Sequence, residues 1–335
     1  MKEMGMIDFK LDKSIQVFHC GGRSGIHDSF KLYKGPMNYT SFEPSPDAIS
    51  SLENVTYPNT NISFKVFPIA LSEREQKIKI NTYNQGDLNS IFEFDLESSN
   101  RYKYQLVNFE SEIEVKATTI DGFATASSSF PDYLILDTQG SELAILSGAA
   151  ATLRDSVVAL RVEVEFFCLY KKQPLFGQVH EFLMEKGFKL ARLETPGKGE
   201  LGVSFDSGPF SMEKYDAAPA WADSIFILQE DELLKINCDT SFALKSLKWI
   251  NFCILNSCVS QVYDLMMAMI KQKRLDVFFS HIDPNSASCL IAVLVERLKM
   301  INNSPWQTQN DTSVLYKGIR DKFESVLKRY LKETS

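Results

Sequence analysis

The sequence is poor in several features that would announce a function. It contains no run of about 18 apolar residues, so no membrane-spanning helix is expected. Its first residues, MKEMGMIDFKLDK, lack the apolar stretch of a secretory signal. Positive charge is scarce: the net charge is −7. That speaks against a nucleic-acid partner, because such footprints need clustered Lys and Arg. The six cysteines, Cys20, Cys168, Cys238, Cys253, Cys258 and Cys289, include no C-x-x-C pair. Reduced thiols in a cytoplasmic protein are the simplest account, and a zinc site is the lesser one. Histidine is rarer still, with four in all. His19 and His27 flank a glycine turn and His180 falls in a helical pattern, a spacing that indicates no metal site.

What remains is the composition of a globular chain. A length of 335 residues with 44% hydrophobic side chains suits one large domain plus an appendage. Through residue 230, short apolar runs alternate with helical patterns. Strands are expected at Ile15–Cys20, Tyr39–Phe42, Ile62–Leu71, Glu112–Lys116, Tyr133–Leu136, Val157–Phe166, Phe188–Leu193 and Ala222–Leu228. Lys77–Asn81 and Ser90–Phe94 read as a hairpin or small insertion around Asn84-Gln85-Gly86-Asp87. Helices are expected over Ser141–Arg154 and over Leu175–Lys186, the second ended by Gly187. This alternation predicts an α/β fold, a doubly wound and mostly parallel sheet with helices on both faces. After Glu230 only helical patterns follow, at Phe242–Lys271, Ala287–Met300 and Val314–Leu331, and the charge turns from acidic to mildly basic. The expected organisation is therefore a domain over 1–230 and a helical domain over 231–335. The helical part would pack on the first domain or on a second copy as a homodimer.

In such a sheet, ligands bind beyond the carboxyl ends of the strands. The first strand runs into Phe18-His19-Cys20-Gly21-Gly22-Arg23-Ser24-Gly25. Glycines there let the backbone approach a ligand, although a glycine-rich turn is often only a turn. The second strand ends at Glu43-Pro44. An acid about 20 residues past such glycines suits ribose hydroxyls. Leu134-Ile135-Leu136 ends on Asp137, and Thr138-Gln139-Gly140-Ser141-Glu142 then leads into a helix. A carboxylate at that place can orient a substrate or take its proton, while Thr138 and Ser141 can cap the helix. The next strand alternates Arg161, Glu163 and Glu165 with Leu160, Val162 and Val164. Charges in a central strand need a partner or a wet crevice, so either Glu163 is functional or Arg161 holds a carboxylate.

Taken together, these residues resemble the FkbM-type S-adenosylmethionine-dependent methyltransferases. Leu136-Asp137-Thr138-Gln139-Gly140-Ser141-Glu142-Leu143, with Leu146-Ser147-Gly148-Ala149, looks like the family's strand-four signature. Phe42-Glu43-Pro44, Ile69-Ala70-Leu71-Ser72 and Thr119-Ile120-Asp121 precede it in the family's order. Glu163-Val164-Glu165-Phe166, Tyr170, Gln173-Pro174-Leu175-Phe176 and Asp223-Ser224-Ile225-Phe226 follow it. The resemblance spans about residues 14–230 and implies a seven-stranded Rossmann-like methyltransferase sheet.

It also implies S-adenosylmethionine as cofactor. His19, Gly21 and Gly25 would bind it, the two glycines near the methionine portion, with Glu43 on the ribose and Ala70, Leu71 and Ser72 along the adenine. The implied reaction is methyl transfer to a hydroxyl of a sugar, glycolipid or secondary metabolite. Asp137, then Glu163, would serve as base, with Gln139 positioning. At one place the chain departs from the pattern: His19 and Arg23 stand where the family has Asp before the first glycine and Asn after it. That keeps a second reading open, a catalytically weakened member serving as a binding or interaction module. A nicotinamide dehydrogenase is disfavoured, because glycines at 21, 22 and 25 do not make G-x-G-x-x-G.

Overall fold

The computed structural model describes residues 11, 13–31, 33–52, 55, 57, 61–95, 107–194, 221–288 and 290. Seven strands form one sheet in the order β3-β2-β1-β7-β8-β10-β9. They are β1 (Ile15–Cys20), β2 (Met37–Phe42), β3 (Ile62–Phe67), β7 (Tyr133–Leu136), β8 (Ala159–Glu165), β9 (Phe188–Glu194) and β10 (Trp221–Leu228). All neighbours run parallel except β10, which is antiparallel to both β8 and β9. This is the doubly wound, mostly parallel sheet that the alternating pattern predicts.

The period-two geometry of a strand sorts its side chains between two cores. Phe18 and Cys20 of β1 and Leu134 and Leu136 of β7 face one side. There they meet helices α3 (Ile120–Ser127), α4 (Glu142–Ser147), α5 (Ala150–Asp155) and α6 (Phe176–Glu185). Ile15, Val17, Tyr133 and Ile135 face the other side. That face is covered by α1 (Asp28–Lys31) and by helices from beyond residue 230: α7 (Glu230–Leu234), α8 (Asp239–Leu255), α9 (Val259–Lys271) and α10 (Leu275–Ser280). A further short helix, α2 (Pro46–Leu52), follows β2.

The C-terminal helices pack on this chain's own sheet. Phe252 lies 5.0 Å from Tyr133 and 6.3 Å from Phe30 between ring centroids. Trp249 Nε1 donates to Leu228 O at 2.8 Å, and Tyr133 Oη donates to Lys248 O at 2.7 Å. Lys248 Nζ meets Asp132 Oδ1 at 2.6 Å in a largely buried pair. Val314–Leu331 and most of Ala287–Met300 lie outside the described residues.

Three expected elements differ from those observed. The run Ile62–Leu71 is not one strand. It breaks at Pro68, which has no N–H to continue a ladder. Ala70–Leu71 becomes β4 and pairs instead with β6 (Phe109–Thr118) in a second sheet, β4-β6-β5. In that sheet β5 (Gln76–Tyr83) takes β6 as its antiparallel partner, so the hairpin of Lys77–Asn81 with Ser90–Phe94 does not form. Ser90 touches the strand through a single bridge to Asn81, and Phe94 bridges to Tyr170. The expected helix 141–154 is two helices parted at Gly148. A β-carbon there would stand 2.3 Å from Ser72 O, so the glycine lets the 70–73 segment press against the break.

Phe252 joins sheet and helices in one core. Phe252→Ala is expected to cost about 3–5 kcal/mol, read as a lower urea midpoint. Tryptophan fluorescence and far-ultraviolet circular dichroism should follow one transition, because the two regions share buried surface. Separated transitions would show that they unfold independently.

Candidate active site

The carboxyl ends of β1, β2, β7 and β8 frame a cavity of about 490 Å³, within the roughly 300–1,000 Å³ usual for small-molecule sites. It lies where the strand order reverses, between β1 and β7, the place at which such sheets bind ligands. The segment inserted after β5 walls the opposite side, with Ile78 and Ile80 of β5 and residues 86–91 facing inward.

Gly21 makes the floor. Its φ of +77° is unstrained only for glycine, and a β-carbon there would fall 1.7 Å from Asp137 O. The turn after β1 can thus lie directly against the end of β7, where Asp137 N donates to Cys20 O at 3.0 Å. Glu43 lines the same cavity although it is only 5% exposed. Its Oε1 accepts from Ser45 N at 2.8 Å, and burial raises its pKa. Ala70 and Leu71 add apolar wall.

Three residues expected at the cofactor do not line the cavity. His19 is buried beneath the turn, with Nδ1 3.1 Å from Gly25 O and 2.9 Å from Tyr39 Oη. One ring nitrogen can donate to the first or accept from the second, not both. Burial first, then the nearby His27, pushes its pKa down to about 3, so the ring is neutral. His19 and Gly25 therefore brace the turn from behind: β1 alternation sends residue 19 to the Tyr39 side. Ser72 has already left β4. Its N–H donates to Thr118 O at 2.9 Å and its Oγ accepts from Gln76 Nε2 at 3.1 Å.

Arg23 does line the cavity. It pairs with Asp47 on α2, and its Nε stands 3.4 Å from Asp87 Oδ1 on the inserted segment. A β-carbon at Gly86 would collide with its guanidinium at 2.5 Å. The side chain that replaces the family's Asn thus ties the β1 turn to two neighbouring segments.

On the far side, three sequence-predicted residues come together. Gln139 Nε2 donates to Asp137 Oδ1 at 3.0 Å and to Glu163 Oε2 at 2.6 Å. Asp137 is open to the cavity yet walled by protein, and desolvation raises its pKa. Glu163 is pushed well above the usual carboxylate range by burial, then by the charges of Asp137 and Glu165. Two acids in one poorly solvated site cannot both ionise freely. Arg161 does not relieve them. It turns to Asp223 at 3.0 Å, to Glu194 at 2.5 Å and to Asn256, which settles it as a structural pair and leaves Glu163 to the cavity.

Sequence reasoning did not foresee how the connecting turn is held. Glu142 Oε1 accepts from Thr138 N at 2.6 Å and Thr138 Oγ1 at 2.9 Å, and burial pushes its pKa up to about 7. It ties the turn from the first residue of α4, while Ser141 makes no side-chain cap to that helix. Gln139 itself is left-handed, with φ +57°, a region that costs a non-glycine residue roughly 1–3 kcal/mol. Ser90 and Trp221 also reach the cavity. No sequence signal marked them, since only the chain's folding over the sheet brings them there. Among the described residues no cluster of potential ligands could hold a metal ion, and no helix is long and apolar enough to cross a membrane.

Comparison with known proteins places the chain in a family. The methyltransferase FkbM domain matches residues 19–190. The chain is similar to the crystal structure of methyltransferase FkbM from Methylobacillus flagellatus KT, with 14% identity and TM-score 0.37, covering 67% of this chain and 45% of that one. It is also similar to a TehB-like SAM-dependent methyltransferase from Corynebacterium glutamicum, with 11% identity, TM-score 0.28, 65% of this chain and 82% of the other. A third likeness is to LepI in complex with SAM, with 11% identity, TM-score 0.29, 65% of this chain and 43% of that one. The chain spans under half the length of the first and third of these proteins. No curated protein matches it. The domain match covers half of the chain, and by it the protein belongs to the FkbM methyltransferase family.

Proposed function

We propose that this protein is an O-methyltransferase acting on a hydroxyl of a sugar, glycolipid or secondary metabolite. The observation that carries the reading is the carboxylate pair Asp137 and Glu163, joined by the Gln139 amide and facing the same cavity as Glu43. The family's methyl donor is S-adenosylmethionine, whose sulfonium-bound methyl would be taken by the acceptor oxygen as the carbon–sulfur bond breaks. The residues present fit that donor. Glu43 offers a buried carboxylate to a ribose, Leu71 and Ile145 offer apolar wall to a base, and Gly21 clears the floor between β1 and β7.

What the protein supplies is placement and a proton acceptor. Holding the acceptor beside the donor in one walled cavity removes much of the entropic barrier. Asp137, the carboxylate more open to the cavity, takes the hydroxyl proton, and the Gln139 N–H groups hold it and Glu163 in place. The unpaired state of the described cysteines supports a reducing, cytoplasmic setting. The second reading, a weakened member that works as a binding module, draws on Arg23, whose guanidinium stands in the cavity where the family carries an amide.

Isothermal titration calorimetry with S-adenosylmethionine and its demethylated product is expected to show binding. Glu43→Ala should weaken it about 10–100-fold, the scale of one lost charged hydrogen bond. No heat with either ligand in folded wild-type protein would favour the binding-module reading. With an acceptor found by screening sugar hydroxyls, Asp137→Asn should slow turnover about 10²–10⁴-fold while leaving donor affinity near wild type. The pair's raised affinity for protons should make the wild-type rate fall with decreasing pH through a midpoint above the ordinary carboxylate range. A flat profile down to pH 5 would remove these two acids from the proton transfer.

A further inference from the structure

The Gln139 amide is useful to the carboxylates only if its NH2 end faces them, and within the 137–142 turn Asp137 Oδ1 favours that end. Two side chains from outside the turn add to this hold, Tyr170 on the amide oxygen and Ser90 on the backbone carbonyl. Tyr170 Oη stands 3.1 Å from Gln139 Oε1, and Ser90 Oγ donates to Gln139 O at 2.7 Å. We propose that Tyr170 and Ser90 are positioning residues, which lock Gln139 in its left-handed conformation with the amide N–H groups toward Asp137 and Glu163. The inference deepens the reading of those two carboxylates as the proton acceptor.

Both residues are themselves anchored. Tyr170 is fully buried, packs edge-on against Phe94 at 5.4 Å, and its backbone N–H is held by Gln173 Oε1. Its hydroxyl also lies 2.9 Å from Leu88 O, so the single phenolic hydrogen is offered to two carbonyl oxygens. Ser90 is buried, and its backbone exchanges hydrogen bonds of 2.8 and 3.1 Å with Asn81 of β5. The inserted segment therefore reaches the carboxylates through one glutamine.

The chemical consequence concerns the proton. Two N–H donors stabilise the ionised form of the pair and so weaken its hold on a proton. A loosened amide withdraws them, or turns its oxygen to the carboxyls, which then favours a protonated partner. The other groups facing the pair do not supply a donor charge: Glu142, Glu165, Asp87 and Asp223 are acids, Arg161 is committed to Glu194 and Asp223, and Arg23 is paired with Asp47.

The test needs neither donor nor acceptor, so it stands apart from the fate of the methyltransferase reading. Carboxyl ¹³C NMR of labelled Asp137 and Glu163 would follow their titration in wild type, Tyr170→Phe, Ser90→Ala, Gln139→Met and the double variant Gln139→Met with Tyr170→Phe. Each single variant should move the pair's midpoint upward, by roughly tenfold in proton affinity or about one pH unit. In the Gln139→Met background Tyr170→Phe should add nothing, since Tyr170 acts only through the amide. A folded Tyr170→Phe with an unmoved midpoint overturns the proposal, as does a further shift in the double variant. Should Tyr170→Phe lose its cooperative unfolding transition, Ser90→Ala decides alone, an unmoved midpoint again overturning it.

Discussion

The desolvation of acids at the end of a buried strand is the constraint around which this site is arranged. Strand β7 is apolar on both faces until Leu136, and the next residue is Asp137. A carboxylate so placed is costly unless hydrogen-bond donors meet it. The chain meets that cost locally, by turning Gln139 back into the crevice so that one amide serves Asp137 and Glu163 together. That return demands a positive φ at a residue with a β-carbon. The strain is offset by Glu142 holding Thr138 from inside the turn and by Ser90 and Tyr170 holding Gln139 from outside it.

The same arrangement explains why the inserted sheet belongs to the site. Strands β4, β5 and β6 contribute little to the main core, yet they carry Leu71, Ile78 and Ile80 along one wall and set the segment that ends in Ser90 and Phe94. Arg23 closes the other flank by pairing with Asp47 and Asp87. The departure from the family's first motif thus has a structural consequence: a short amide is replaced by a charged side chain that spans three segments. His19, the companion departure, is spent on bracing the glycine turn, where a neutral ring meets Gly25 O and Tyr39.

Away from the crevice, the helices after residue 230 cover the sheet face that α3–α6 leave open. Their aromatic side chains, Phe242, Trp249 and Phe252, lie in the same core as Ile15, Val17 and Tyr133. The change in composition near residue 230 is visible in the sequence, but it marks a change of element type within a shared core and not a gap in packing. Polar contacts follow suit, with Lys248 meeting Asp132 at the start of β7.

What the sequence by itself determined is what repeats locally. The short apolar runs Ile15–Cys20 and Tyr133–Leu136, the glycine after the first and the acid after the second set the strands, their ends and the place of the crevice. Glu43, Asp137 and Glu163 could be placed at the crevice because they stand at or near strand carboxyl ends, and Gln139 followed from the family resemblance; all four line the cavity. The motif order then named the family. What only the tertiary structure decided were partnerships between distant segments. His19 was expected at the cofactor from the family resemblance, yet strand alternation turned it away from the cavity. Pro68 ended the third strand so that Ala70–Leu71 joined another sheet, and Tyr170 and Ser90 met Gln139 across separations of 31 and 49 residues. Local sequence encodes backbone geometry through sterics and hydrogen bonding, whereas which side chain faces which is settled only when the layers close and each buried polar group finds its partner.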